Sequence, residues 1–129
     1  MKNNKFTPEI KVGLQKYRIE VYIPIHLPHT TNYLLYQRVQ LLLEENFSKS
    51  FGGATTTEGI GLFYREKDKK HYPDQVAIIY TDTNFSNEAS VEEYIKSILK
   101  DIAEKLEKEL AILITYYPIK HALLTRREA

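Results

Sequence analysis

The sequence predicts an α+β domain, a ferredoxin-like βαββαβ plait whose four-stranded antiparallel sheet carries two helices on one face. Three observations predict it. Ile19, Val21, Ile23 and Ile25 alternate with Arg18, Glu20, Tyr22 and Pro24, the period-2 pattern of a strand with one apolar face. Two later stretches instead repeat apolar residues every three or four positions, as amphipathic helices do. The order along the chain is strand, helix, strand, strand, helix, strand, which is the split βαβ pattern.

The first strand covers 17–25 and closes near Pro24, which has no N–H to give a ladder. The loop His26-Leu27-Pro28-His29-Thr30-Thr31-Asn32 follows, and Thr30, Thr31 or Asn32 has the side-chain oxygen that caps a helix. Leu35, Val39, Leu42, Leu43 and Phe47 form the apolar stripe of a first helix over 33–47. After a turn at 48–53, the threonines and aromatics of 54–65 favour a strand, with Gly59 and Gly61 marking a bulge or a close backbone approach. Residues 66–74 read as a charged connection, and 75–81, apolar on both faces, as a central strand. Ser90-Val91-Glu92-Glu93 fits a capping box ahead of a helix whose stripe is Val91, Ile95, Ile98, Leu99, Ile102, Leu106 and Leu110. A last strand at 111–117 is stopped by Pro118. The domain thus spans 17–118. Residues 1–16 form an N-terminal arm, ordered only if it docks, and 119–129 a basic C-terminal tail.

A chain of 129 residues is one domain's worth. Eighteen Lys and Arg against 17 Asp and Glu leave a net charge of +1, which argues against a nucleic-acid partner. The chain has no Cys, so disulfides, thiolate metal sites and Cys nucleophiles are excluded, in keeping with a cytoplasmic setting. No apolar run reaches the roughly 20 residues of a membrane span. Met1-Lys2-Asn3-Asn4-Lys5 is not followed by the apolar stretch of a secretory signal.

The right-handed crossover makes strands one and two parallel, with strand three antiparallel between them. The 26–32 loop and the 66–74 connection then share one end of the sheet. The 51–55 turn, the 82–89 loop and His121 share the other. At that second end Gly52, Gly53 and Thr55, with Asp82 and His121, are candidate ligand-binding residues, because glycines let backbone N–H groups converge on an anion and hydroxyls add donors. The same glycines are equally explained by a tight helix-to-strand turn. At the first end His26-x-x-His29 meets His71 and Asp74, imidazoles plus a carboxylate that suit Zn, Ni or Cu, although solvated loop histidines explain it as well, and no metal is assigned. On the sheet face away from the helices stand Arg18, Glu20 and Tyr22, joined by Tyr80, Tyr116 or Tyr117 according to register. Exposed aromatics on such a face stack on RNA in some plaits, but strand two lacks the basic start of that motif. A second subunit on this open face is the plainer expectation. Glu20 and Glu58 are the carboxylates on strands and hence the acid/base candidates, with Arg18 to orient an anion.

The run Phe51-Gly52-Gly53-Ala54-Thr55, followed by Gly59-Ile60-Gly61, resembles a signature of small bacterial α+β proteins that carry F-G-G-x-T after a first helix and then a glycine-containing strand. The resemblance implies the plait and no assigned chemistry. Where such proteins often have Trp, this chain has Leu62 and Phe63. More distantly, the element order is similar to nitrogen-regulatory signalling proteins, whose phosphate-binding motifs are not present here.

Three functional readings follow. One is a homo-oligomeric binding or regulatory module that holds a small anionic ligand near the glycine turn. The second is a small enzyme with an acid/base pocket between subunits. The third is a structural protein–protein adaptor. The sequence names no cofactor.

Overall fold

The computed structural model describes residues 6–26, 33–105 and 112–128. Strand β1 (Phe6–His26) is followed by helix α1 (Tyr33–Phe51), strands β2 (Thr55–Arg65) and β3 (Lys70–Asp82), helix α2 (Glu88–Lys105) and strand β4 (Leu113–Glu128). Followed as continuous runs of chain, the strands lie side by side in the order β2-β3-β1-β4, with every neighbouring pair antiparallel.

The predicted fold class needs correction. The antiparallel sheet curls into a half-barrel, counted as seven strands, that carries two helices. It is not a four-stranded ferredoxin-like plait. The physical cause is strand length. The arm at 6–16 continues β1 upstream, and the basic tail continues β4 past Pro118, so that Phe6 lies opposite Glu128 and Lys16 opposite Ile119. Pro118 does not end the strand because β4 lies at the sheet edge, where a missing N–H is tolerated. Pro73 is tolerated for the same reason: β3 has run past its β1 partner there, since pairing with β1 reaches only as far as Gln75. The 66–74 connection is accordingly a hairpin turn at 66–69 with β3 starting at Lys70. Lys69 takes φ 54° in this turn, and Asp68 accepts the Lys70 N–H.

The core lies between the sheet and the helices. Ile19, Val21 and Ile23 face it from β1, Ala77 and Ile79 from β3, Tyr36, Val39, Leu43 and Phe47 from α1, and Val91, Ile95, Ile98 and Ile102 from α2. Tyr36 apart, these lie on the strands and helical stripes read from the sequence, whereas Leu99 of the expected α2 stripe is 38% exposed. Phe51, Phe85 and Tyr94 close one end of it, with Phe51 edge-on to Phe85 and Tyr94 at 5.5 and 4.8 Å between ring centroids. The start of α2 differs from the expected capping box. Asn87 accepts the Ser90 N–H at 2.8 Å, so Asn87 is the cap and Ser90 is the third helical residue.

Candidate functional site

The open face of the sheet, opposite the helices, follows from strand alternation. Arg18, Glu20 and Tyr22 point away from the buried Ile19, Val21 and Ile23. Residues directly opposite across a ladder share a face. Arg18 is flanked by Asp82 and Tyr117, Glu20 by Tyr80 and Thr115, and Tyr22 by Ile78 and Leu113.

These side chains form one polar network across β3, β1 and β4. Arg18 donates to both oxygens of Asp82, Nε at 2.7 Å and Nη2 at 3.1 Å, and its guanidinium lies 4.7 Å from the Tyr80 ring centroid. The bond to Asp82 holds Arg18 firmly in its cationic form. Glu20 accepts three hydroxyls: Tyr117, Tyr22 at 2.9 Å and Thr115 at 3.4 Å. The Tyr117 hydroxyl first, then Tyr22, Thr115 and the charge of Arg18, hold the Glu20 carboxyl below its ordinary pKa against its partial burial. The same bonds push the phenols of Tyr117 and Tyr22 upward. Glu20 is therefore a fixed anion whose oxygens are held by neutral donors. With Arg18 already matched by Asp82, its charge is the one the network leaves without an ionic partner.

An open cleft of about 400 Å³ adjoins this network and shares Tyr80 and Asp82 with it. Its other walls are Lys16, Phe51, Gly52, Gly53, Ala54, Thr55 and Thr81. The predicted residues Gly52, Gly53, Thr55 and Asp82 thus come together here. Gly52 takes φ 87° and donates its N–H to the Ser48 carbonyl at 2.9 Å, which ends α1 and removes that amide from any anion cradle. The Gly53 carbonyl accepts the Thr81 hydroxyl at 2.7 Å. The cationic group at the cleft is Lys16, a residue that sequence reading left in the arm.

The remaining candidates do not join this site. His121 lies farther along β4, opposite Leu14, outside the cleft lining, and its Nδ1 is buried without a hydrogen-bond partner. Glu58 is exposed on the helix side of β2, the side on which Thr56 donates to Glu44 of α1 at 3.0 Å. His71 is exposed near the hairpin turn, against the Tyr64 ring. His29 and the side chain of His26 lie outside the described residues. Among the described residues no cluster of three or more His, Asp or Glu fits a metal ion. Thr115 and Lys16 were missed by sequence reading. Alternation within the expected 111–117 strand, counted from Tyr117, is the signal that finds Thr115, and alternation carried back from Arg18 finds Lys16.

No family model matches the chain, and no curated protein matches it. Solved structures do share its fold. A phage SAM lyase in complex with S-methyl-5'-thioadenosine aligns with 88% of this chain and 90% of that chain, with a TM-score of 0.54 and 8% identity. A phage SAM lyase in its apo state aligns with 89% of this chain and 90% of that chain, with a TM-score of 0.53 and 8% identity. The likeness is one of fold. Among the described residues no helix is long and apolar enough to cross a membrane.

Proposed function

We propose that the open sheet face binds a small adenosyl compound of the S-adenosylmethionine class. The observation that carries the reading is Glu20, a carboxylate held ionised by three hydroxyls on the open face. A fixed anion among tyrosine rings suits a sulfonium centre, and the rings offer flat surfaces to a purine. The adjoining cleft supports the rest of such a ligand. Lys16 there suits a carboxylate, so the small anionic group expected near the glycine turn is in this reading part of the ligand itself. The fold shared with a SAM lyase is in keeping with this choice of class.

The same geometry supports an enzymatic variant in which a second copy facing the open side closes the pocket. In that variant Glu20 stabilises charge and does not shuttle a proton, because it is held below the pH range in which a general acid works. Isothermal titration calorimetry tests the reading with S-adenosylmethionine and S-methyl-5'-thioadenosine as probes. Binding of S-adenosylmethionine, weakened about tenfold or more in Glu20→Gln, is the expected result, a loss of roughly 1.4 kcal/mol, whereas S-methyl-5'-thioadenosine, a neutral thioether without the carboxylate, reports the purine contacts alone. A folded protein that binds neither at millimolar concentration overturns it. Release of S-methyl-5'-thioadenosine from S-adenosylmethionine, followed by chromatography, separates turnover from binding alone.

A further inference from the structure

The strand that carries Glu20 carries a second charge on the same face. Lys16 lies four residues upstream in β1, opposite Ile119 across the β4 ladder. The bulge of β1, with its one extra residue, stands farther upstream, between Lys11 and Leu14, where Gly13 takes φ 71°. Alternation from Lys16 through Arg18 to Glu20 is therefore unbroken, and the three residues share the open face. Arg18 is matched by Asp82, and the β4 residues opposite the three, Ile119, Tyr117 and Thr115, carry no charge. Lys16 is half-buried in the cleft wall, and among the described residues it forms no ion pair. This stretch of β1 thus presents one cation and one anion, each without an ionic partner.

We propose that Lys16 and Glu20 together select a ligand that carries a carboxylate a few bonds from a sulfonium centre, with the carboxylate on Lys16 and the sulfonium against Glu20. The inference rests on the adenosyl reading of this face and deepens it, because it makes Lys16 a specificity-determining residue. Spacing supports it. At about 3.3 Å per residue the Cα atoms of Lys16 and Glu20 stand roughly 13 Å apart. In the amino-acid arm of S-adenosylmethionine, three carbons separate the sulfur from the carboxylate carbon, a distance of about 5 Å when extended. A contact of roughly 3–4 Å at each end brings the span to about 11–13 Å. The order of the charges also fixes direction. A ligand turned end for end would set carboxylate against carboxylate and sulfonium against ammonium. The carboxylate end therefore lies in the glycine cleft, and the adenosyl end is left among the tyrosines around Glu20.

Calorimetric titration of the full chain with a set of probes tests the proposal. S-adenosylmethionine carries both charges, S-methyl-5'-thioadenosine carries neither, and S-methylmethionine carries both without the adenosine. Lys16→Met keeps most of the stem and removes the cation. It is expected to weaken S-adenosylmethionine about tenfold or more and to leave S-methyl-5'-thioadenosine within about twofold of the wild type, with circular dichroism unchanged. Lys16→Arg keeps the cation and is expected to keep the preference for S-adenosylmethionine. Undiminished binding of S-adenosylmethionine by Lys16→Met overturns the proposal, and so does an equal loss for both adenosyl probes. The adenosyl reading survives either result. Binding of S-methylmethionine that Lys16→Met abolishes, without binding of either adenosyl probe, supports the charge pair and overturns the adenosyl reading instead. A wild type that binds none of the probes at millimolar concentration overturns both.

Discussion

Tyr117 donates its phenolic proton to Glu20 across the β1–β4 ladder, from a position 97 residues away in the chain. Arg18, on the same face of β1, lies directly opposite Tyr117. The phenol thus links a cation already matched by Asp82 to an anion that is not, and the orientation of Glu20 depends on it.

Removing that hydroxyl alters the titration of Glu20. In Tyr117→Phe the carboxyl loses its strongest donor, and its pKa moves up toward the ordinary glutamic acid value. Because the folded pKa is depressed, this network contributes to folding above the ordinary value and loses that contribution as acid carries the pH down through the lowered one. Tyr117→Phe should move the loss to higher pH. Carboxyl carbon NMR of Glu20 through an acid titration reads the shift directly. An unchanged midpoint would mean that Tyr117 does not hold the carboxylate.

Arg18 and Asp82 form a forked, partly exposed pair, with side chains 30% and 35% exposed. Solvent screening limits such a pair, and its bidentate geometry places it near the top of the exposed range, about 1 kcal/mol. A urea-denaturation cycle over Arg18→Ala, Asp82→Ala and the double variant should return a coupling of that order. A coupling indistinguishable from zero contradicts a structural role for the pair.

The start of α2 separates two capping arrangements. Asn87→Ala should cost about 1 kcal/mol, whereas Ser90→Ala, at the third helical position, should cost much less. Equal or reversed losses in thermal unfolding would restore the Ser90 box.

Gly13 has no atom within 4 Å of the place a Cβ would occupy, and its φ is 71°. Gly13→Ala therefore meets no clash, and its cost is conformational, about 1–2 kcal/mol. The loss should be seen as faster amide hydrogen exchange in the β1–β4 ribbon, with protection of the core strands unchanged. Uniform protection throughout would show that the bulge does not require the glycine.

Much of the layered core was legible locally. Alternation named Ile19, Val21 and Ile23, and three-and-four spacing named Val39, Leu43, Phe47, Val91, Ile95, Ile98 and Ile102. Arg18, Glu20 and Tyr22 were legible as the opposite face, and Gly52 to Thr55 with Asp82 as one end of the sheet. The extent of the strands was not. The polar 6–16 and 119–128 stretches lack the alternation that burial on one face imposes, because most of their side chains stay exposed. They extend because each supplies the other's backbone partners. That pairing turned the expected plait into a curled half-barrel.

By itself the sequence determined the order of the elements, the side of the first strand that faces the helices and the absence of any thiol chemistry. These depend on residue type and short-range period, which do not require a partner. Only the tertiary structure decided that Tyr117 and Thr115 meet Glu20, that Lys16 reaches the glycine turn and that Glu58 and His121 stand apart. Those contacts depend on the register between strands far apart in sequence, where a slip of one residue turns every side chain to the other face.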